Sequence, residues 1–247
     1  MPAGTDQQAK PSRVRTKKLY ATGVAHPAVF SEKILPLLAA HLDPSHSLIL
    51  DPFAGVGKIH RLPDDLDWAV RTVGVEIEPE WALNHPRTLV GDALALPFPS
   101  GAFDAVVTSP TYGNRMADSH EARDGSIRRS YTHDLGRPLN EKSSGAMQWG
   151  DSYRSFHQGA WSEVLRILRP GGRLVLNISD HIRNKKRQHV ASWHVRAILE
   201  LGLGLVSAET VATSRHREGA SSDSRVGGEL ILAFDAPPYP QPQANSS

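Results

Sequence analysis

Ser47-Leu48-Ile49-Leu50-Asp51-Pro52-Phe53-Ala54-Gly55-Val56-Gly57 is the stretch on which the reading of this chain turns. An aliphatic run over residues 47–51 predicts a short strand. It ends in an acid and enters a loop whose two glycines stand two positions apart. Such spacing allows a tight turn and a close approach of backbone to a ligand. On either side, strand and helix patterns alternate. Residues 27–42 read as a helix, with Ile34, Leu37, Leu38 and Leu42 at helical spacing. Residues 72–77 and 104–108 read as strands. Residues 153–168 form an amphipathic helix stopped by Arg169-Pro170-Gly171-Gly172, because proline cannot continue the ladder and glycine adopts positive φ. A strand at 173–178, a helix at 190–201 and an antiparallel pair at 204–214 and 228–234 complete the pattern. Alternation of this kind predicts an α/β fold with a doubly wound, mostly parallel sheet. Ligands in such sheets sit beyond the carboxyl ends of the strands.

The chain has 247 residues, enough for one α/β domain with a substantial core, placed at 21–236. It contains no cysteine, which excludes disulfides, zinc–thiolate sites and cysteine nucleophiles. No metal site is expected. No apolar run reaches the roughly 18 residues that a membrane-spanning helix needs, and no apolar signal core opens the chain. A cytoplasmic location without a membrane partner is the expectation. Net charge is only +2, so distribution says more than the sum. Residues 1–20 read as a flexible basic arm, with Lys10, Arg13, Arg15, Lys17 and Lys18 against Asp6. Residues 237–247, rich in Pro, Gln and Ser, read as a disordered tail.

Three acids follow the strands. About 20 residues beyond the glycine turn, the second strand ends in Val73-Gly74-Val75-Glu76-Ile77-Glu78, where an acid can accept both ribose hydroxyls of a nucleoside. Glu76 is the first candidate and Glu78 the alternate. A third Gly at the helix-packing position is absent, which weakens a dinucleotide reading. An adenosyl ligand without pyrophosphate fits better. Asp92, in Val90-Gly91-Asp92, can then accept from an adenine amino group. The strand at 104–108 runs into Ser109-Pro110-Thr111-Tyr112-Gly113.

With these motifs in this order, residues 20–235 resemble the S-adenosylmethionine-dependent amino-methyltransferases of DNA, which make N4-methylcytosine or N6-methyladenine. The resemblance implies a Rossmann-like methyltransferase sheet and S-adenosyl-L-methionine as cofactor. It places Asp51, Phe53, Gly55 and Gly57 on the methionine part, Glu76 on ribose and Asp92 on adenine. His26-Pro27-Ala28-Val29-Phe30-Ser31 resembles the family's segment leading into a helix over the cofactor, which adds Phe30. Ser109-Pro110-Thr111-Tyr112 resembles the catalytic Ser-Pro-Pro-Tyr loop. A base amino nitrogen is a poor nucleophile because its lone pair is delocalised into the ring. The Ser109 oxygen and the Pro110 carbonyl are the candidate acceptors for its two hydrogens, and Tyr112 would stack on the extruded base. Thr111 stands where the family usually has a second proline. That departure should loosen the loop without removing either acceptor.

Residues 114–150 are long for a strand-to-helix connection and read as an insert over the target. Arg115, Arg128 and Arg129 are its candidate nucleic-acid contacts. Asp180 or His181 reads as a pocket residue, and Asp180 alternatively as a helix N-cap. Arg183, Lys185, Lys186 and Arg187 form a basic run suited to phosphates. DNA is the favoured partner and cytosine N4 the favoured target. An RNA amino-methyltransferase and a non-catalytic cofactor- or nucleic-acid-binding protein of the same fold remain open alternatives.

Overall fold

The computed structural model describes residues 21–27, 33–113, 130–183, 185–212 and 228–238. The basic arm, Phe30, Arg115, Arg128, Arg129 and most of the C-terminal tail lie outside them. The main sheet contains β1 (Leu48–Asp51), β2 (Arg71–Glu76), β3 (Thr88–Val90), β4 (Phe103–Thr108) and β5 (Leu168–Ile178). A hairpin of its own, β6 (His181–Arg183) with β7 (Lys186–Gln188), follows β5. β8 (Gly204–Ala212) and β9 (Gly228–Asp235) complete the main sheet. Its order is β3-β2-β1-β4-β5-β9-β8. β1 to β5 pair in parallel, and β9 runs antiparallel to both β5 and β8. The expected antiparallel pair is present, with β9 inserted between β8 and the parallel strands.

Side-chain alternation along the strands divides the core in two. Leu50, Val106, Leu174 and Leu176 pack on one face with Trp161 and Val164 of α4 (Asp151–Ile167) and Ile198 of α5 (Val190–Glu200). Ile49, Ala105, Val107 and Val175 pack on the other face. They meet Leu35 and Leu38 of α1 (Leu35–Ala39) and Ile59 and Leu62 of the 3-10 helix Lys58–Asp65. Coverage on both faces is why these strands read as continuous apolar runs. The Pro-Gly-Gly signal forms an irregularity in β5. The β4–β5 ladder passes from Phe103 opposite Leu168 to Ala105 opposite Arg173.

Two short helices escaped the sequence pattern: α2 (Pro79–Ala82) and, inside the 114–150 segment, α3 (Tyr131–Leu135). Both are shorter than two turns, so periodicity carries no signal for them. Among the described residues no helix is long and apolar enough to cross a membrane.

From β1 the chain winds one way through β2 and β3, then returns to the other side of β1 for β4 and β5. A crevice opens where the order reverses, beyond the strand ends. Close packing at Gly74 supports it. A Cβ on Gly74 would lie 2.7 Å from Ala54 Cβ and 2.8 Å from Thr88 Oγ1. Gly74→Ala is expected to lower stability by about 1–3 kcal/mol through overpacking. A lower urea midpoint with an unchanged slope would register it.

Candidate functional site

Asp51 ends β1 fully buried. Its Oδ1 accepts from Phe53 N–H at 3.0 Å and from the Thr108 hydroxyl at 2.7 Å. Its Oδ2 has no partner among the described residues. Burial pushes the carboxyl up to about 7, against the pull of those two hydrogen bonds. In the turn that follows, Gly55 and Gly57 adopt left-handed φ of 52° and 77°. A side chain at Gly57 would collide with His60 and His85, each 2.9 Å from the added Cβ. Gly57 is therefore a packing glycine. Neither it nor Asp51 lines the cavity described below, whereas Phe53 and Gly55 do.

Glu76 ties the turn to the end of β2. Its Oε2 accepts from Gly55 N–H at 2.8 Å and its Oε1 from Glu78 N–H at 3.0 Å. Burial, with the nearby Glu78 and Asp51 carboxylates, pushes it up to about 7. The alternate acid is otherwise engaged. Glu78 is fully buried, pairs with Arg137 at 2.8 Å and accepts from Asn140 N–H at 2.7 Å. Arg137 also grips Glu80 at 2.6 Å. The second half of the 114–150 segment is thus docked beyond the end of β2. Asp92 accepts from Leu94 N–H at 2.9 Å, and its Oδ2 lies 3.4 Å from Lys142 Nζ.

The loop after β4 carries the second group of side chains. Ser109 Oγ and Tyr112 OH are 3.1 Å apart. Asn177 Nδ2, near the end of β5, lies 3.3 Å from each and donates to Glu229 Oε2 of β9 at 2.9 Å. Asn177 Oδ1 is buried without a partner among the described residues. Thr111 does not loosen this loop. Its hydroxyl donates to Ser144 Oγ at 3.0 Å, and its carbonyl accepts from Tyr153 OH at 2.6 Å.

Behind Tyr153 stands a buried relay with one consistent proton assignment. Trp161 Nε1, always a donor, gives its hydrogen to His194 Nδ1 at 3.0 Å. His194 must then donate from Nε2 to Tyr153 OH, 2.9 Å away. Burial holds His194 well below its usual range, and hence neutral.

One cavity of about 700 Å³ joins the two groups. Glu76 and Asp92 line it from the β2 and β3 ends, and Ser109, Tyr112, Asn177 and Glu229 from the β4, β5 and β9 side. Pro110 lines it as well. Asn177 and Glu229 were not among the candidates. A polar residue inside the buried run Leu174-Val175-Leu176-Asn177-Ile178 was the available signal for the first. Nothing local marks Glu229, which the antiparallel return of β9 delivers.

The basic run forms the β6–β7 hairpin. Arg183, Lys185 and Lys186 are exposed. Arg187 is exposed too and also pairs with Asp180 at 2.7 Å. Asp180 also accepts from Ala191 N–H at 2.9 Å in the first turn of α5, but from a distance in the chain: the N-cap residue is His189, and neither Asp180 nor His181 lines the cavity.

No family model matches the chain, and no curated protein matches it. Solved structures do. The [4+2]-cyclase SpnF matches at 18% identity and a TM-score of 0.53, over 83% of this chain and 81% of that one. A putative methyltransferase in complex with the Trm112 activator of Haloferax volcanii matches at 16% and 0.53, over 83% and 88%. A SAM-dependent methyltransferase from Methanosarcina mazei matches at 12% and 0.53, over 82% and 98%. The fold is that of the S-adenosylmethionine-dependent methyltransferases. A cyclase among these structures makes plain that the reaction must be argued from the site.

Tyr153→Phe would strand the Thr111 carbonyl and the His194 Nε2–H in a dry interior. A loss of about 1–3 kcal/mol in unfolding free energy is expected, measured by denaturant titration.

Proposed function

We propose that this protein transfers a methyl group from S-adenosylmethionine to the exocyclic amino group of a DNA base, cytosine N4 ahead of adenine N6. One observation carries the reading. Acceptors suited to an amine, at Ser109 and Pro110, share a chamber with acids suited to an adenosyl group, Glu76 and Asp92.

The residues present fit that cofactor. Each oxygen of Glu76 takes one backbone N–H, and a carboxylate oxygen has room for a second donor, here a ribose hydroxyl. Asp92 is suited to the adenine amino group, since the Lys142 side chain beside it is largely exposed and free to turn away. Ile77, Ala93 and Phe156 add apolar wall for the ring. Phe53 and Gly55 suit the methionine part, while Asp51 and Gly57 shape the turn from behind. When bound, the cofactor supplies an electrophilic methyl: the amine lone pair forms the N–C bond, the S–C pair stays on sulfur, and one amine proton passes to water.

Ser109 accepts one amine hydrogen and the Pro110 carbonyl the other. Tyr112, tethered by its hydroxyl to Ser109 and Asn177, presents a ring to the cavity against which a base can stack. Arg183, Lys185 and Lys186, exposed on the hairpin directly after β5, support a phosphate backbone at the same sheet edge.

Incubation with methyl-labelled S-adenosylmethionine and DNA or RNA, followed by mass spectrometry of nucleosides, tests the reading. N4-methylcytosine in DNA is expected, and Ser109→Ala should lower kcat by about 100-fold. Label in RNA alone would replace DNA by RNA. Label in neither would leave a non-catalytic binding protein.

The acids also predict a pH effect. Glu76 and Asp51 both protonate near 7 in the folded protein. Below that pH Glu76 loses its charged acceptor, so affinity for S-adenosylhomocysteine should fall between pH 8 and pH 6. Calorimetry on Glu76→Gln should find weaker binding and a shallower pH dependence, with Asp51 supplying what remains.

A further inference from the structure

Glu229 has no part in the reading so far, yet it faces the reacting end of the cavity. It stands at the start of β9 and is only partly buried. Its Oε2 accepts from Asn177 Nδ2, the same nitrogen that reaches Ser109 Oγ and Tyr112 OH. A carboxylate only accepts hydrogen bonds, so the nitrogen of the Asn177 amide, and not its oxygen, must face Glu229. The contact fixes the amide and, through it, holds Glu229 beside Ser109. Two acceptors within hydrogen-bond reach of one nitrogen are spaced so that an amino group between them can give a hydrogen to each.

We infer that Glu229 is a further catalytic and specificity-determining residue: it shares with the Pro110 carbonyl the amino hydrogen opposite Ser109, and Asn177 is the residue that positions it. The inference rests on the amino-methyltransferase reading above and deepens it. Positive charge develops on the attacking nitrogen during transfer. A carboxylate beside it stabilises that charge more than a neutral carbonyl does. The same carboxylate discriminates among bases. An amino group offers it hydrogens, whereas an oxo group at the same ring position offers only lone pairs and is repelled. The pocket therefore takes cytosine or adenine and rejects their deaminated counterparts.

The test uses the full chain saturated with S-adenosylhomocysteine and titrated with 2′-deoxycytidine and 2′-deoxyuridine, then with 2′-deoxyadenosine and 2′-deoxyinosine. The wild type should prefer the amino member of one pair by about tenfold or more. Glu229→Gln, which can donate as well as accept, should lose that preference and bind S-adenosylhomocysteine as before. Glu229→Asp keeps the charge and should keep the preference while methyl transfer slows, a rescue that a merely structural role would not produce. An unaltered preference in Glu229→Gln overturns the inference and leaves the amino-methyltransferase reading in place. A wild type indifferent to amino and oxo bases overturns that reading and the inference with it.

Discussion

A buried hydrogen bond of 2.7 Å joins the Thr108 hydroxyl to Asp51 Oδ1 across the ends of β4 and β1. The glycine turn leaves from Asp51 and the Ser109 loop leaves from Thr108. These strands pair in parallel and flank the place where the sheet order reverses, so this contact extends their ladder and ties the two halves of the site together. It is bought with a carboxylate in a dry place, and burial accordingly lifts Asp51 far above its ordinary range. The other Asp51 oxygen stays without a partner among the described residues, a cost that a purely structural position would be expected to shed.

Stiffness of the Ser109 loop comes from outside the loop. With threonine at position 111 only one proline restricts the backbone. The clamp is instead a chain of donors and acceptors from α4 and α5 ending on the Thr111 carbonyl, with Ser144 holding the side chain. Each member is satisfied by the next, and the neutral state of His194 follows from its place in the chain. A fully satisfied buried network is rigid because any local departure leaves a polar group unpaired.

Charge is used differently on the two sides of the cavity. Near β2 and β3 the buried Glu78 is neutralised by Arg137, and the segment carrying Arg137 is thereby fastened over that end of the cavity. Breaking such a pair leaves an uncompensated charge, which makes the docking strong without making the pair itself a net source of stability. Near β5 and β9, Glu229 accepts from the Asn177 amide. The fold is common to proteins of differing activity, SpnF among them.

Strands, the order of motifs and the acids at the strand ends were legible in the chain, because each is written locally: an aliphatic run, a glycine spacing, an acid at a strand end. The antiparallel pair at the C-terminus was legible for the same reason. Other features needed the tertiary structure, since they join residues far apart in the chain. Whether Glu76 or Glu78 faces the cavity was decided by Arg137 and Asn140, about 60 residues on, which take up Glu78. That Arg187 pairs with Asp180 was decided by a hairpin too short to carry a periodic signal. Glu229 reached the site only because β9 runs back between β5 and β8. Local chemistry specifies which elements form, whereas the long-range pairing of strands and buried charges selects which side chains meet.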